Sequence, residues 1–357
     1  MAGDRAVPPA PASLPGQGAD REQKLAALRI RLHEAAGQIR TAEHWVRSLR
    51  AAARLNGETW PNVLLVSSRI PDATMVRGYE AWRAAGRQVS REEKGIEIFS
   101  SPPGKQSGPR SPDPEGQDLS WRDARRVAYV WDLSQTSGQP VPLPAVVPAP
   151  SGQAPPGLWD CLCWLARREG FAVDREDGCP GDGATFWAAR RIRVPSSVTD
   201  AQAVWALAHQ LGHVLIHHTI AYPPGATTSG CQGVRKAEAD AVAFITCARH
   251  GVLLRHAFSG PQTWAGSDPR AQPAATILAA GDHITAATAT ISRLVDHHMG
   301  PATMAASPAA EPAPATIHAI DQAQPATSLA SGPRAVPAPN PEPVPGITSV
   351  LDDAARF

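Results

Sequence analysis

Two histidines four residues apart, His209 and His213, stand inside an apolar run from Ala201 to Ile216. At helical pitch both fall on one face. A helix this apolar is buried on most of its sides, so the imidazole nitrogens must find partners inside the protein. Either each ring is hydrogen-bonded like an ordinary buried histidine, or both reach one metal ion. Pro195 closes the preceding segment and Thr199 or Asp200 offers an N-cap, which predicts a helix over Ala201–His218. Between the two rings stands Gln210, whose amide cannot take up a proton.

A metal held by the pair needs a third protein donor. A histidine six residues after His213 is ruled out, because that position is Thr219. A helix predicted over Arg235–His250 carries Glu238, the best acidic candidate, with Asp240 second. Two imidazoles and a carboxylate make a zinc site with one position left for water. His217 prolongs the same face and reads as a ligand, a partner of a ligand or a surface residue. Cys161 and Cys163 invite a metal reading too, although Cys-x-Cys within the apolar stretch Leu158–Leu165 is more often packing.

The chain has 357 residues and a formal net charge of +1, so global charge selects no partner class. The length gives room for two domains with real cores. Basic residues outnumber acidic ones between Arg21 and Ser100. Five cysteines, an odd number without a framework, point to a reducing compartment. With neither a signal peptide nor an apolar run near the ~20 residues of a membrane span, a cytoplasmic protein is expected.

Composition divides the chain. Residues 1–20 and 300–357, rich in Pro and Ala, read as a disordered leader and tail. From Arg21 to Leu55, Leu25, Leu28, Leu32, Ala36 and Ile39 recur at helical spacing, as one helix or as two broken at Gly37. A short helix between Pro61 and Pro71, a strand at Ile96–Phe99, a Pro/Gly/Ser-rich loop over 101–120 and a strand at Arg126–Asp132 follow. A Pro-rich linker over 146–157 separates this 21–145 domain from a second one over 158–299. The latter combines helices with a hairpin near Ala184–Val194 and a last helix over 273–298. The fold class is α+β.

The run Asn62, Pro71-Asp72-Ala73-Thr74, Gly78-Tyr79, Trp82, Gly86-Arg87-Gln88-Val89, Glu93-Lys94-Gly95-Ile96 and Asp132-Leu133-Ser134-Gln135-Thr136 resembles the N-terminal domain of ArdC-type antirestriction proteins across about 22–145. The resemblance implies a single-stranded-DNA-binding domain of a family linked to protecting incoming plasmid DNA. It departs at Glu92, where that family usually has Gly. Such binding needs cations for phosphates and aromatic faces for bases. Arg69, Arg77, Arg87, Arg91 and Lys94 are candidates for the first, Tyr79 and Trp82 for the second; for Trp82 core packing is the competing assignment.

The stretches Leu207-Ala208-His209 to His213-Val214-Leu215, Glu238-Ala239-Asp240 and Val242-Ala243-Phe244 resemble ImmA/IrrE-like zinc metallopeptidases across about 158–298. There the helix reads His-Glu-x-x-His, and the Glu takes a proton from zinc-bound water. Gln210 replaces that base, and Lys236 stands where an acid is frequent. The resemblance implies a zinc-binding, peptidase-like module that has lost a base worth roughly 10²–10⁴-fold in rate. Tyr222 or His217 are candidates to stabilise an oxyanion. The expected protein is thus a single-stranded-DNA binder with a degenerate zinc domain. The alternative is an active zinc endopeptidase that cleaves a regulatory protein partner while tethered to DNA.

Overall fold

The computed structural model describes residues 17–100, 126–141, 149, 151–218, 226–228, 231–252, 254, 256–266 and 272–299. They form an α+β structure of helices and three small sheets. The periodic run after Arg21 is two helices, α1 (Gln17–Gly37) and α2 (Ala42–Arg54). Leu25, Leu28, Leu32 and Ala36 line the buried stripe of α1. Thr41 caps α2, its hydroxyl accepting from the His44 N–H at 3.2 Å. α1 begins at Gln17, inside the stretch expected to be a disordered leader. The rest of that leader, the loop 101–120 and the tail 300–357 lie outside the described residues.

α3 (Trp60–Arg69) carries Pro61 in its first turn, where no N–H is missed. Then come β1 (Val76–Arg77), α4 (Tyr79–Ala84), β2 (Arg87–Val89), β3 (Ile96–Ser100), β4 (Arg126–Asp132) and β5 (Thr136–Gly138). Antiparallel pairing gives a sheet ordered β1-β4-β3 and a ribbon β2-β5, with Val76 opposite Asp132 and Glu97 opposite Tyr129. Ile96, Ile98, Val130 and Asp132 are buried, while Glu97, Tyr129 and Trp131 alternate onto the other face.

Asp132 ties this region together. Its carboxylate accepts from the N–H groups of Thr74 (2.8 Å), Met75 (3.1 Å) and Ser134 (2.9 Å) and from the Ser134 hydroxyl (2.6 Å). Burial pushes this carboxyl up, but the bonds from Ser134, Thr74 and Met75 outweigh it and hold the group below its ordinary value. Nearby, Glu92 has φ 74°, in the left-handed region where a Cβ is unfavourable. The turn that glycine would make is therefore kept with a glutamate.

The second region comprises α5 (Leu158–Arg168), β6 (Ala172–Glu176), β7 (Ala184–Phe186), β8 (Arg191–Pro195), α6 (Asp200–His217), α7 (Gly233–Arg249), α8 (Pro261–Trp264) and α9 (Pro273–Met299). β8 is central, parallel to β6 and antiparallel to β7. Thr199 is the N-cap of α6, and it forms a reciprocal capping box with Gln202.

The Pro-rich segment marks a change of topology but not the edge of a core. Ala149 N–H donates to Gly251 O at 2.8 Å and Ala201 N–H to Gly152 O at 3.1 Å, which ties the segment to the second region. Across it, α2 packs on α7, and α1 and α3 pack on α9. The Trp45 ring lies 5.4 Å from Trp60 and 5.1 Å from Trp264. Gly281 of α9 is the seat of Trp60, since a Cβ there would come within 2.1 Å of the indole.

Two outcomes follow from these local geometries. Glu92→Gly relieves an unfavourable φ and should raise stability by up to about 1 kcal/mol in urea titrations. Asp132, held below its ordinary pKa, contributes stability above that value and loses it as pH falls through the folded-state value. Acid titrations of Asp132→Asn followed by circular dichroism should therefore lack that part of the slope.

Candidate functional site

α6 carries both histidines on its buried face, and α7 packs against that face closely enough to constrain the residues between them. At Gly212 a Cβ would meet the Ala239 Cα at 3.0 Å, so a glycine lets the two helices approach here. His209 Nε2 and His213 Nε2 are 3.2 Å apart. The Cys231 sulfur, from the residues just before α7, lies 3.3 Å from His213 Nε2 and 3.6 Å from His209 Nε2. Each of the three residues offers one donor atom, and these atoms lie within 4.8 Å of one another.

The carboxylates stand one step behind. Asp240 Oδ1 is 3.0 Å from His209 Nδ1. Glu238 does not stand beside the pair: its Oε2 takes His217 Nε2 at 2.7 Å and its Oε1 takes His283 Nδ1 at 2.8 Å. His217 Nδ1 faces His213 Nδ1 at 3.0 Å. His217 is thus a buried link between Glu238 and His213, and Cys231 occupies the place expected of Glu238.

These contacts assign protons. In neutral rings, a proton on His217 Nε2 toward Glu238 leaves His217 Nδ1 to accept, so His213 donates from Nδ1, and His209 carries its proton on Nδ1, the nitrogen nearest Asp240. Both Nε2 atoms then direct lone pairs toward each other and toward the Cys231 sulfur. Two facing lone pairs repel unless a cation sits between them. Tetrahedral zinc, at ~2.0–2.1 Å from nitrogen and ~2.3 Å from sulfur, sets its nitrogens about 3.3 Å apart and nitrogen and sulfur about 3.5 Å apart. The observed 3.2, 3.3 and 3.6 Å match this spacing. Carboxylates behind the imidazoles are the usual outer supports of such ligands. The donor set fits a divalent metal of the zinc type.

Electrostatics agree with that fit. Burial, with His209 and His217 beside it, drives His213 well below the ordinary histidine value, so the ring is a neutral donor. Burial pushes the Cys231 thiol up to about 11, so a metal must displace its proton. Lys236, which stands where an acid is frequent, gives its ammonium to Asp240 at 3.0 Å and Asp182 at 3.4 Å. Burial pulls Lys236 down, but Asp240 outweighs it and holds the ammonium above its usual value. His256 Nε2 lies 3.2 Å from Asp240 Oδ2.

Gln210 is fully engaged. Its Oε1 accepts from the hydroxyls of Thr185, at 2.9 Å, and Thr228, and its Nε2 donates to the Asp182 carbonyl at 2.6 Å. A glutamate would keep the two acceptor roles and set an oxygen against the Asp182 carbonyl. The amide also holds the strip that delivers Cys231, whose N–H donates to Thr228 O at 3.1 Å. Tyr222 lies outside the described residues; Cys161 and Cys163 pack into the core.

The residues suggested for DNA contact separate into groups. Arg69, Arg91 and Lys94 are exposed, and Tyr79 is 39% exposed. Arg77 is half-buried, its guanidinium 5.2 Å from the Trp82 ring centre. Trp82 itself is fully buried, its Nε1 donating to Trp131 O at 2.8 Å, so no face is open to a base. Arg87 is spent on the backbone and side chain of Thr136 and the carbonyls of Gly138 and Gln139. It clips the β2-β5 ribbon.

Among solved structures, the chain is similar to the metal-free crystal structure of the antirestriction ArdC protein from the R388 plasmid. The TM-score is 0.45 and the identity 16%, over 74% of this chain and 98% of that one. For the Mn(II)-bound structure of that protein the TM-score is 0.43 and the identity 14%, over 74% and 97%. No family model and no curated protein matches the chain.

Substitutions separate ligand from support. Cys231→Ala should lower zinc affinity by more than the roughly 10–100-fold that loss of an outer partner costs, whereas Glu238→Gln should stay within that range. Competition against a chromogenic chelator measures both. Cobalt loading should give a thiolate-to-metal absorption band that Cys231→Ala abolishes.

Proposed function

We propose that the chain is a single-stranded-DNA-binding protein of ArdC antirestriction type, acting in the cytoplasm, whose second region holds a zinc ion without hydrolysing peptides. The observation that carries the non-hydrolytic part is the fixed amide of Gln210. A zinc ion would make bound water acidic, to a pKa near ~7 in good sites. This chain has no carboxylate at position 210 to take that proton, and Thr185, Thr228 and the Asp182 carbonyl occupy the amide that replaces it. His209, His213 and Cys231 hold the ion. Asp240 and the Glu238–His217 link fix the two rings. The role assigned to the ion is support: it joins α6 to the segment leading into α7.

The DNA-binding part rests on the sequence resemblance of the first region and on its open cations, Arg69, Arg91 and Lys94, together with the exposed Tyr79. No helix among the described residues is long and apolar enough to cross a membrane.

Fluorescence anisotropy with labelled oligothymidine across a salt series tests the binding. Affinity should fall steeply with salt, with a slope near −0.7 per phosphate contacted. No binding at low salt defeats it. The zinc-loaded protein should leave a broad peptide library uncut, and hydrolysis above the Cys231→Ala background would restore the endopeptidase alternative. Gln210→Glu, which loses the donor to Asp182, should lower the melting temperature.

A further inference from the structure

We propose that Tyr79, Trp131 and Tyr129 form a stacking platform for consecutive bases of a single DNA strand; the proposal rests on the DNA-binding reading above and names its contact surface. β4 lies in the middle of the β1-β4-β3 sheet, and its alternation sends Val130 and Asp132 into the core and Tyr129 and Trp131 outward. Among the described residues only four large hydrophobic side chains are strongly exposed. Tyr79 and Tyr129 are two of them, and they flank Trp131.

The three side chains form one contiguous row. Residues two apart in a strand are separated by about 6.6 Å, which sets Tyr129 from Trp131. The Tyr79 ring meets the Trp131 ring edge to face, centres 6.1 Å apart and planes at 67°, so these two form one continuous corner of the row. The floor between the two β4 aromatics is Gly95, where a Cβ would come within 2.8 Å of the Trp131 ring and 3.1 Å of the Tyr129 Cβ. A side chain there would displace the indole, so the glycine lets Trp131 lie down against the backbone at this point.

Each ring is held before any ligand arrives. Tyr79 accepts from Gln88 Nε2 at 3.0 Å, Trp131 donates to Glu93 O at 3.4 Å and Tyr129 donates to Glu97 Oε1 at 3.0 Å. Fixed rings lose little freedom on binding. The charges around the row balance, with Arg31, Arg91 and Lys94 set against Glu92, Glu93 and Glu97. Glu97 is neutralised by Arg31, and Glu93 accepts from Gln135. Arg91 and Lys94, on the loop that leads into Gly95, remain exposed beside the exposed Glu92. Aromatic faces with phosphate-binding cations at their edge are what a single strand of any sequence requires.

The test uses the full chain and labelled oligothymidine at fixed low salt. The Tyr79→Ala/Tyr129→Ala double variant, checked for native circular dichroism and melting temperature, should bind about 100-fold more weakly, near tenfold for each ring lost. Tyr79→Phe/Tyr129→Phe keeps the rings and should bind like the parent. Replacing the thymines by abasic units should weaken the parent strongly and the double alanine variant little, which identifies bases as the lost contact even if stability shifts. A folded double alanine variant that binds like the parent overturns the platform while leaving DNA binding intact. A parent that binds no single strand overturns both.

Discussion

Burying two imidazoles on neighbouring turns of one helix creates a problem of four ring nitrogens with no water. Most of what surrounds α6 is an answer to it. Asp240 takes one nitrogen, and the Glu238–His217 pair takes another. The remaining two face each other at 3.2 Å with a sulfur alongside. An unpaired buried polar group costs on the order of 1–3 kcal/mol. The Ala-rich face of α7, the close approach at Gly212 and the polar positions Glu238 and Asp240 form one consistent arrangement around that demand.

The first region belongs to this arrangement physically. Trp45 of α2 lines a small cavity with Lys236, Asp240, Phe258 and Trp264, directly behind the acid that steadies His209. Removing the N-terminal helices would uncover that acid to water. The shared tryptophan cluster explains why composition, which changes abruptly at the Pro-rich segment, locates a break in topology while the packing runs through it.

Much of the fold was legible because its helices are strongly periodic and well capped. Gly37, Pro61 and Thr199 all mark helix ends near the expected places. The His209–His213 pairing followed from helical pitch alone. Cys231 did not, because it sits on irregular chain eighteen residues after His213, where spacing carries no geometric information. Glu238 was singled out on chemical type; the sequence had no means of showing that α7 turns it toward His217 and His283. Trp82 and Arg87 show the same limit on the other side of the molecule. Their residue types suit nucleic acid, yet one fills the core and the other closes a ribbon. Trp131 escaped notice since a strand tryptophan reads as packing until its face is seen.

Gly281 and His283 are two residues apart on α9. The first receives the Trp60 indole, and the second holds the far oxygen of Glu238. One rigid rod therefore touches both the tryptophan cluster and the outermost link of the histidine chain. It acts as a gauge: the seat of an indole in one region fixes the height at which an imidazole meets a carboxylate in the other.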